Sequence, residues 1–373
     1  MEKLSYYRPT IARIDLQAIK ANIQSLRNHL QRHVEIIAVV KANAYGHGDI
    51  PVATAAIEAG ATMLAVATPD EAVHMREHFP LMNILVLGAS PISFVPYAAS
   101  ENITLAVFSS EWVHQAQQCT PLQSPLKLHI KIDSGMGRIG VTSKEELLQV
   151  HEAITATPNF VVDGLFTHFA TADELDTLYF DRQVSAFKDL LQPLPTKPRM
   201  VHVANTATAL IKDPALQFDA VRFGISMYGL LPSSYVGEVL PFPLQAAFAL
   251  ETELVHVKKI CAGKSVGYGA TFTATEDCYI GTLPIGYADG MIRKLGGQEV
   301  LIDGKRAPII GRICMDQCMI LLPTAYNTGE KVTLIGKQQN EEITIDEWAA
   351  KVETINYEVP CIITSRVPRV YAK

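Results

Sequence analysis

The chain has 373 residues, 48% of them hydrophobic and 19% charged, enough for two domains with sizeable cores and too apolar for a disordered protein. With 32 Lys and Arg against 38 Asp and Glu, the formal charge is −6, which argues against a dedicated nucleic-acid binder. Six cysteines without a Cys-x-x-Cys pair make no disulfide scaffold, the opening MEKLSYYRPT lacks a signal peptide's apolar run, and the most membrane-like stretch (52–68) carries Glu58 and is too short to span. The expectation is a soluble, reduced, cytoplasmic protein with no membrane partner.

In chain order, a helical pattern over 16–30 places Leu16, Ile19, Ile23, Leu26 and Leu30 on one face. Eight short β-branched runs follow, at 34–40, 62–67, 83–88, 103–108, 126–133, 160–168, 200–204 and 219–224. Helical stretches lie between them at 49–59, 70–78, 143–155, 175–191 and 206–211. Buried-looking strands joined by helices predict a parallel sheet, and eight is the number that closes a (β/α)8 TIM barrel. An open doubly wound sheet is the rival. The segment GLLPSSYVGEVLPFP (229–243) reads as a linker. Beyond it come the alternating runs LETELVHV, CYIGTL, VLIDGKRAPI, KVTLIG and IITSRVPRVY, a hairpin signal at Asp303-Gly304, and one helical stretch, IDEWAAKV (345–352). The fold expected is α/β: a barrel over 1–240 followed by an all-β C-terminal domain over 241–373. Residues 1–13 belong either to the barrel or to the β domain.

Polar groups gather where the barrel strands end. VVKANAYGHG (39–48) puts Lys41 at the carboxyl end of the first run, the end where barrel active sites form. An amine against an apolar wall loses basicity and becomes a candidate nucleophile, although a snorkelling lysine is the commoner outcome for one such residue alone. The fifth run leads into Lys131 and Arg138, the sixth ends at His168, the seventh at Asn205-Thr206, and the eighth carries Arg222 before Gly224-Ile225. Cations clustered on one rim point to anionic ligands, and the loops after strands seven and eight form the fold's recurrent phosphate site.

Two motifs are set aside. Gly135–Gly140 matches G-x-G-x-x-G with Asp163 about twenty residues on, but it follows the fifth run rather than opening a βαβ unit. His74-Met75-Arg76-Glu77-His78 matches an inverted zinc motif on a charged helix face with no third protein ligand evident, so no metal is expected. Cys314 and Cys318 read as small apolar residues.

Taken together, VVKANAYGHG, KIDSGMGRIG, THFATAD, HVANTAT, VRFGISMYGL, VGYGATF, PIGYADG, GRICMDQ and NYEVPCIITSRVPRVY resemble the alanine racemase family over nearly the whole chain. The resemblance implies a homodimeric enzyme with composite active sites. It would use pyridoxal 5′-phosphate (PLP) to interconvert L- and D-alanine, the latter feeding peptidoglycan. It further implies that Lys41 holds PLP, that Tyr45, Thr206 and the backbone of Gly224 and Ile225 hold its phosphate beside Asn205, and that Arg222, oriented by His168, faces the pyridine nitrogen. Arg138 resembles the residue reaching the PLP phenolate oxygen and the substrate carboxylate. Lys131 matches a position carbamylated in some relatives. Lys41 and Tyr268 resemble the two bases, serving the D- and L-faces. A phenol ordinarily titrates near ~10 and needs a neighbouring cation to act as a base. Tyr287, Met315 and Asp316 resemble substrate-pocket residues, and Tyr357 a gating tyrosine.

The rivals are a racemase for another small amino acid and a barrel-type PLP decarboxylase. The latter pairs the pyridine nitrogen with a carboxylate, where this chain has Arg222. A non-enzymatic PLP carrier would be a barrel alone.

Overall fold

The computed structural model describes residues 6–119 and 121–372, so the first five residues of the 1–13 segment lie outside it. The chain divides into two compact units. One comprises the residues up to Gln17, Tyr45–Gly48 and everything from Ala246 onward. The other comprises Ala18–Ala44 and Asp49–Gln245.

After β1 (Ile11–Asp15), which belongs to the first of these units, come the eight parallel strands of the second. They are β2 (Glu35–Val39), β3 (Met63–Val66), β4 (Asn83–Val86), β5 (Ile103–Val107), β6 (Leu126–Lys131), β7 (Phe160–Phe166), β8 (Met200–His202) and β9 (Ala220–Phe223). Each pairs with the next through β8, and β2 also pairs with β9, setting Ile37 opposite Arg222. The ring closes where Asp219 N donates to Val201 O at 3.0 Å and Arg222 N to Ala204 O at 2.9 Å. Every residue of β3 and β5 is buried, because strands here have the barrel interior on one face and helices on the other. That is why they read as unbroken apolar runs, each large side chain contributing roughly 1.5–3 kcal/mol on burial.

The helices start where their caps allow. Thr68 accepts from Glu71 N and Glu71 reciprocates, so the helix expected at 70–78 is Pro69–His78. The one expected from 175 begins at Leu178, whose N–H is held by Asp176 at 2.9 Å. The segment read as a linker, 229–243, carries a short helix, Ser234–Glu238, capped by Ser233.

The strands of the other unit are β10 (Phe248–Glu253), β11 (His256–Ile260), β12 (Ser265–Val266), β13 (Phe272–Thr273), β14 (Cys278–Leu283), β15 (Glu299–Ile302), β16 (Lys305–Ile310), β17 (Cys318–Leu322), β18 (Lys331–Gln338), β19 (Glu341–Ile343) and β20 (Arg369–Ala372). Its main sheet runs β11-β14-β17-β16-β15-β18-β10-β1-β20, with β19 on β18. β1 is antiparallel to β10 and parallel to β20. Asp303 and Gly304, at φ 49° and 68°, make the turn between β15 and β16 that their sequence signals. Two expectations fail. A second helix, Glu358–Ile362, follows Ile345–Val352, and the strand expected over 362–371 is confined to β20. Pro368 supplies no N–H there, and Arg369 folds back to donate to the carbonyls of Ile363, Thr364 and Val367.

Candidate active site

Lys41 follows β2 directly, and the four residues after it are left-handed: Ala42, Asn43, Ala44 and Tyr45 have φ between 51° and 54°. Each such non-glycine residue costs roughly 1–2 kcal/mol, and strain of this kind persists only where surrounding contacts impose it. Here Glu71 accepts from Ala42 N at 2.7 Å, Asn43 Oδ1 accepts from Asp49 N at 3.0 Å, and Ala44 N returns to Val40 O at 2.9 Å. The tight turn fixes Lys41 at the strand's mouth.

Around that mouth lie the other strand-end residues. Arg222 is buried, and both terminal nitrogens are committed to the barrel. Nη1 donates to His202 O at 2.6 Å and His202 Nδ1 at 3.0 Å. Nη2 donates to Thr167 O at 2.8 Å and Val203 O at 3.2 Å, and lies 3.3 Å from His168 Nδ1. Among the described residues Nε makes no hydrogen bond, so one donor of a fixed guanidinium is available to a ligand. Burial, then Arg138, pulls this guanidinium down to about 9. Lys131 is buried and its amine falls to about 7, through burial first and then Arg222, Arg138 and Lys41, opposed by Asp133. Burial and the same neighbours push His168 well below its ordinary range.

The nearby carboxylate does not relieve this surplus. Asp133 is occupied by the backbone N–H groups of Gly135, Gly137 and Arg138 at 2.9, 3.0 and 3.0 Å. These hydrogen bonds outweigh burial and keep it ionised. The G-x-G-x-x-G loop is thus an Asp-anchored turn that carries Arg138. On the opposite side Thr206 Oγ1 accepts from Gly224 N at 3.0 Å, tying together the loops after β8 and β9. Asn205 caps the helix Thr206–Ile211 through Thr208 N and holds Phe169 O with its amide. A doubly charged anion suits this rim: it meets cations, a spare guanidinium N–H and a glycine-lined loop pair.

In the other unit, Tyr45 and Tyr357 lie with ring centroids 6.3 Å apart, and burial pushes the Tyr45 phenol up. Its neighbour Gly46 (φ 80°) leaves no room for a side chain, since a Cβ would meet Pro360 O at 2.1 Å. This close approach is what counts 45–48 with the β unit. Tyr268, Tyr287, Met315 and Asp316 line one cleft of about 580 Å³ with Arg293 and Arg312. Tyr268 is 69% exposed at its edge. The Arg312 guanidinium packs against Gly269, the residue after Tyr268. Cys318 is buried and Cys314 partly so, both as free thiols.

His74, Glu77 and His78 do come together, with ligand atoms within 4.8 Å, but all are exposed on an outer helix face, as i, i+3, i+4 spacing dictates. Sequence reasoning missed His202 and His129, which read as ordinary strand residues, and weighed Asp163 only as part of a nucleotide motif. All three prove to be buried.

Residues 14–232 match the family model described as alanine racemase, N-terminal domain, and residues 247–371 the alanine racemase, C-terminal domain. The chain belongs to the alanine racemase family. An alanine racemase from Anoxybacillus flavithermus is 53% identical over 375 residues, covering all of this chain and 97% of the relative. Among solved structures, alanine racemase from Bacillus anthracis with bound L-Ala-P superposes with a TM-score of 0.95 at 44% identity, covering 99% of this chain and 96% of that one. A histidine racemase from Leuconostoc mesenteroides subsp. sake gives 0.93 at 32%, covering 99% of each.

Proposed function

We propose that this racemase interconverts L- and D-alanine with PLP, using Lys41 and Tyr268 as opposed bases. The observation that carries the reading is the cationic barrel mouth: Lys41, Lys131, Arg138 and Arg222 sit around a rim where the carboxylates of Asp133 and Glu71 are spent on backbone amides. PLP fits it by charge and by donor set. Lys41 would hold its aldehyde carbon, the Thr206 and Gly224–Ile225 loops with Tyr45 its phosphate, and Arg222 Nε–H its pyridine nitrogen. When bound, PLP supplies the electron sink that makes the α-proton of alanine removable.

The chain's own residues do the rest. Arg222 donates and does not give up its proton, so it would leave a pyridine nitrogen held there unprotonated, which would weaken the sink and suppress side reactions. A decarboxylase-like carboxylate partner is the opposite arrangement. Arg138 takes the substrate carboxylate. One base cannot serve both faces of Cα, so Lys41 takes or returns the proton on the D-face and Tyr268 on the L-face. Tyr287, Met315 and Asp316 bound the space for the side chain, and Tyr357 stands as a gate. Tyr268 is supplied by the β unit of a second copy, making the enzyme a homodimer. Its place is the cytoplasm and its product a peptidoglycan precursor.

A second reading keeps the chemistry and changes the side chain, because a histidine racemase shares this architecture. Conversion of a panel of L-amino acids to their D forms by the purified, PLP-loaded protein decides. Alanine should exceed every other by at least about tenfold in kcat/KM. A larger residue turning over faster would transfer the assignment to that amino acid.

A further inference from the structure

Behind Arg222, away from the mouth, a chain of buried side chains crosses the barrel interior. His202 Nδ1 is 3.0 Å from Arg222 Nη1, His129 Nδ1 is 2.9 Å from His202 Nε2, and Asp163 Oδ2 is 3.2 Å from His129 Nε2. Arg199 closes it with two bonds of 2.9 Å to the Asp163 carboxylate. His129 and His202 are fully buried.

The direction of every proton in this chain follows from its ends. A guanidinium only donates, so His202 Nδ1 accepts and its Nε2 carries the hydrogen. That hydrogen points at His129 Nδ1, which must accept, so His129 also carries its hydrogen on Nε2 and donates to Asp163. The carboxylate only accepts. Burial tends to raise Asp163, but hydrogen bonds from Arg199 and His129 win and hold it ionised. Burial keeps both histidines neutral.

The backbone is shaped for this arrangement. The β6–β7 register slips between Leu128 and His129, which face Val162 and Gly164, so Asp163 is the extra residue of a bulge. A bulge re-aims a side chain that regular alternation would send elsewhere. Gly164 makes room for the imidazole, since a Cβ there would lie 2.5 Å from His129 Nε2.

We infer that Asp163, His129 and His202 are positioning residues for Arg222: a one-way hydrogen-bond chain that locks His202 as an acceptor and so holds the guanidinium with Nε–H aimed into the mouth. This rests on the reading of Arg222 as the partner of the pyridine nitrogen, but the chain itself exists in the protein without PLP and is measurable there.

The test compares His129→Gln with His129→Leu, and adds Asp163→Asn. Gln can accept from His202 and donate to Asp163, preserving the direction, whereas Leu fills similar space and carries neither group. Side-chain 15N NMR of histidine-labelled protein without PLP should show His202 protonated on Nε2 in the parent and in His129→Gln. In His129→Leu, and in Asp163→Asn, whose amide can donate as well as accept, only the Arg222 end is left to set the tautomer, and the Nδ1–H form should become populated beside the Nε2–H form. In the loaded enzyme, His129→Gln should keep kcat within about threefold, while His129→Leu and Asp163→Asn lose at least about tenfold with KM for alanine little changed. An unchanged His202 tautomer in both disrupting variants overturns the chain. So does equal kcat in Gln and Leu variants. A parent that fails to racemise alanine would refute the proposed function while leaving the tautomer measurement intact.

Discussion

Lys131 Nζ lies 4.7 Å above the ring of Phe166, which also stacks on His202 at 4.9 Å and lies 5.7 Å from the Arg222 guanidinium. A ring face attracts a cation, typically by ~0.5–2 kcal/mol. Here that attraction loses. Burial and the positive charges of Arg222, Arg138 and Lys41 bring the amine down from 10.5 to about 7. A lysine that is largely neutral above that pH is a nucleophile surrounded by cations.

Lys131 should therefore take up carbon dioxide. A neutral amine forms a carbamate, and the anion produced would be held by the cations that depress the amine. In 13C-bicarbonate the protein should show a carbamate carbon that grows as pH rises through about 7 and is absent from Lys131→Ala. The pH sign extends to stability. Between about 7 and 10.5 the unfolded lysine binds a proton that the folded one does not, so this residue's penalty fades as pH rises through that window. A parent without carbamate signal in excess bicarbonate at alkaline pH would sink the prediction.

Lys41 should be the residue that carries the cofactor. Borohydride treatment of the PLP-loaded protein followed by peptide mapping should place the pyridoxyl group on Lys41. A label on Lys131, the rim lysine whose amine is depressed, would refute the assignment and point to the wrong strand end.

Arg222→Glu should convert a weak sink into a strong one. Replacing the donor by a carboxylate lets the pyridine nitrogen keep a proton, so racemisation should fall by at least about a hundredfold while pyruvate from side transamination becomes measurable. Parent-like racemisation with no pyruvate would show that Arg222 does not face that nitrogen.

Most of the barrel was legible because its strands are buried on both faces, which writes an unbroken apolar run, and because amphipathic stretches separate those runs. The mouth was legible strand end by strand end. What escaped was whatever depends on departures from regular pairing. Asp163 faces inward only because of a bulge, and bulges leave no periodic trace. His129 and His202 are 73 residues apart in sequence and meet only across a closed barrel. The 45–48 segment reads as part of the barrel because its neighbours do. Its contacts assign it to the β unit: Tyr45 on Tyr357, His47 on Phe248, and Gly46 close to Pro360 and accepting from Arg369.

Tyr268 should act in trans. Lys41 and Tyr268 lie in different units of the chain, and the proposed homodimer has the partner's β unit supply the phenol. Complementation separates this from action within one chain. In a mixed dimer of Lys41→Ala and Tyr268→Ala chains acting in trans, one site lacks both bases and the other has both intact. With random subunit exchange about half the dimers are mixed, so about a quarter of the parent activity should return. If each chain used its own tyrosine, every site would lack one base and nothing would return. Exchange is verified by mass-tagging one variant, so that inactivity of a mixture shown to contain mixed dimers overturns the trans assignment. Tyr268→Ala alone should lose α-proton exchange mainly from L-alanine, because Lys41 still reaches the proton of the D form.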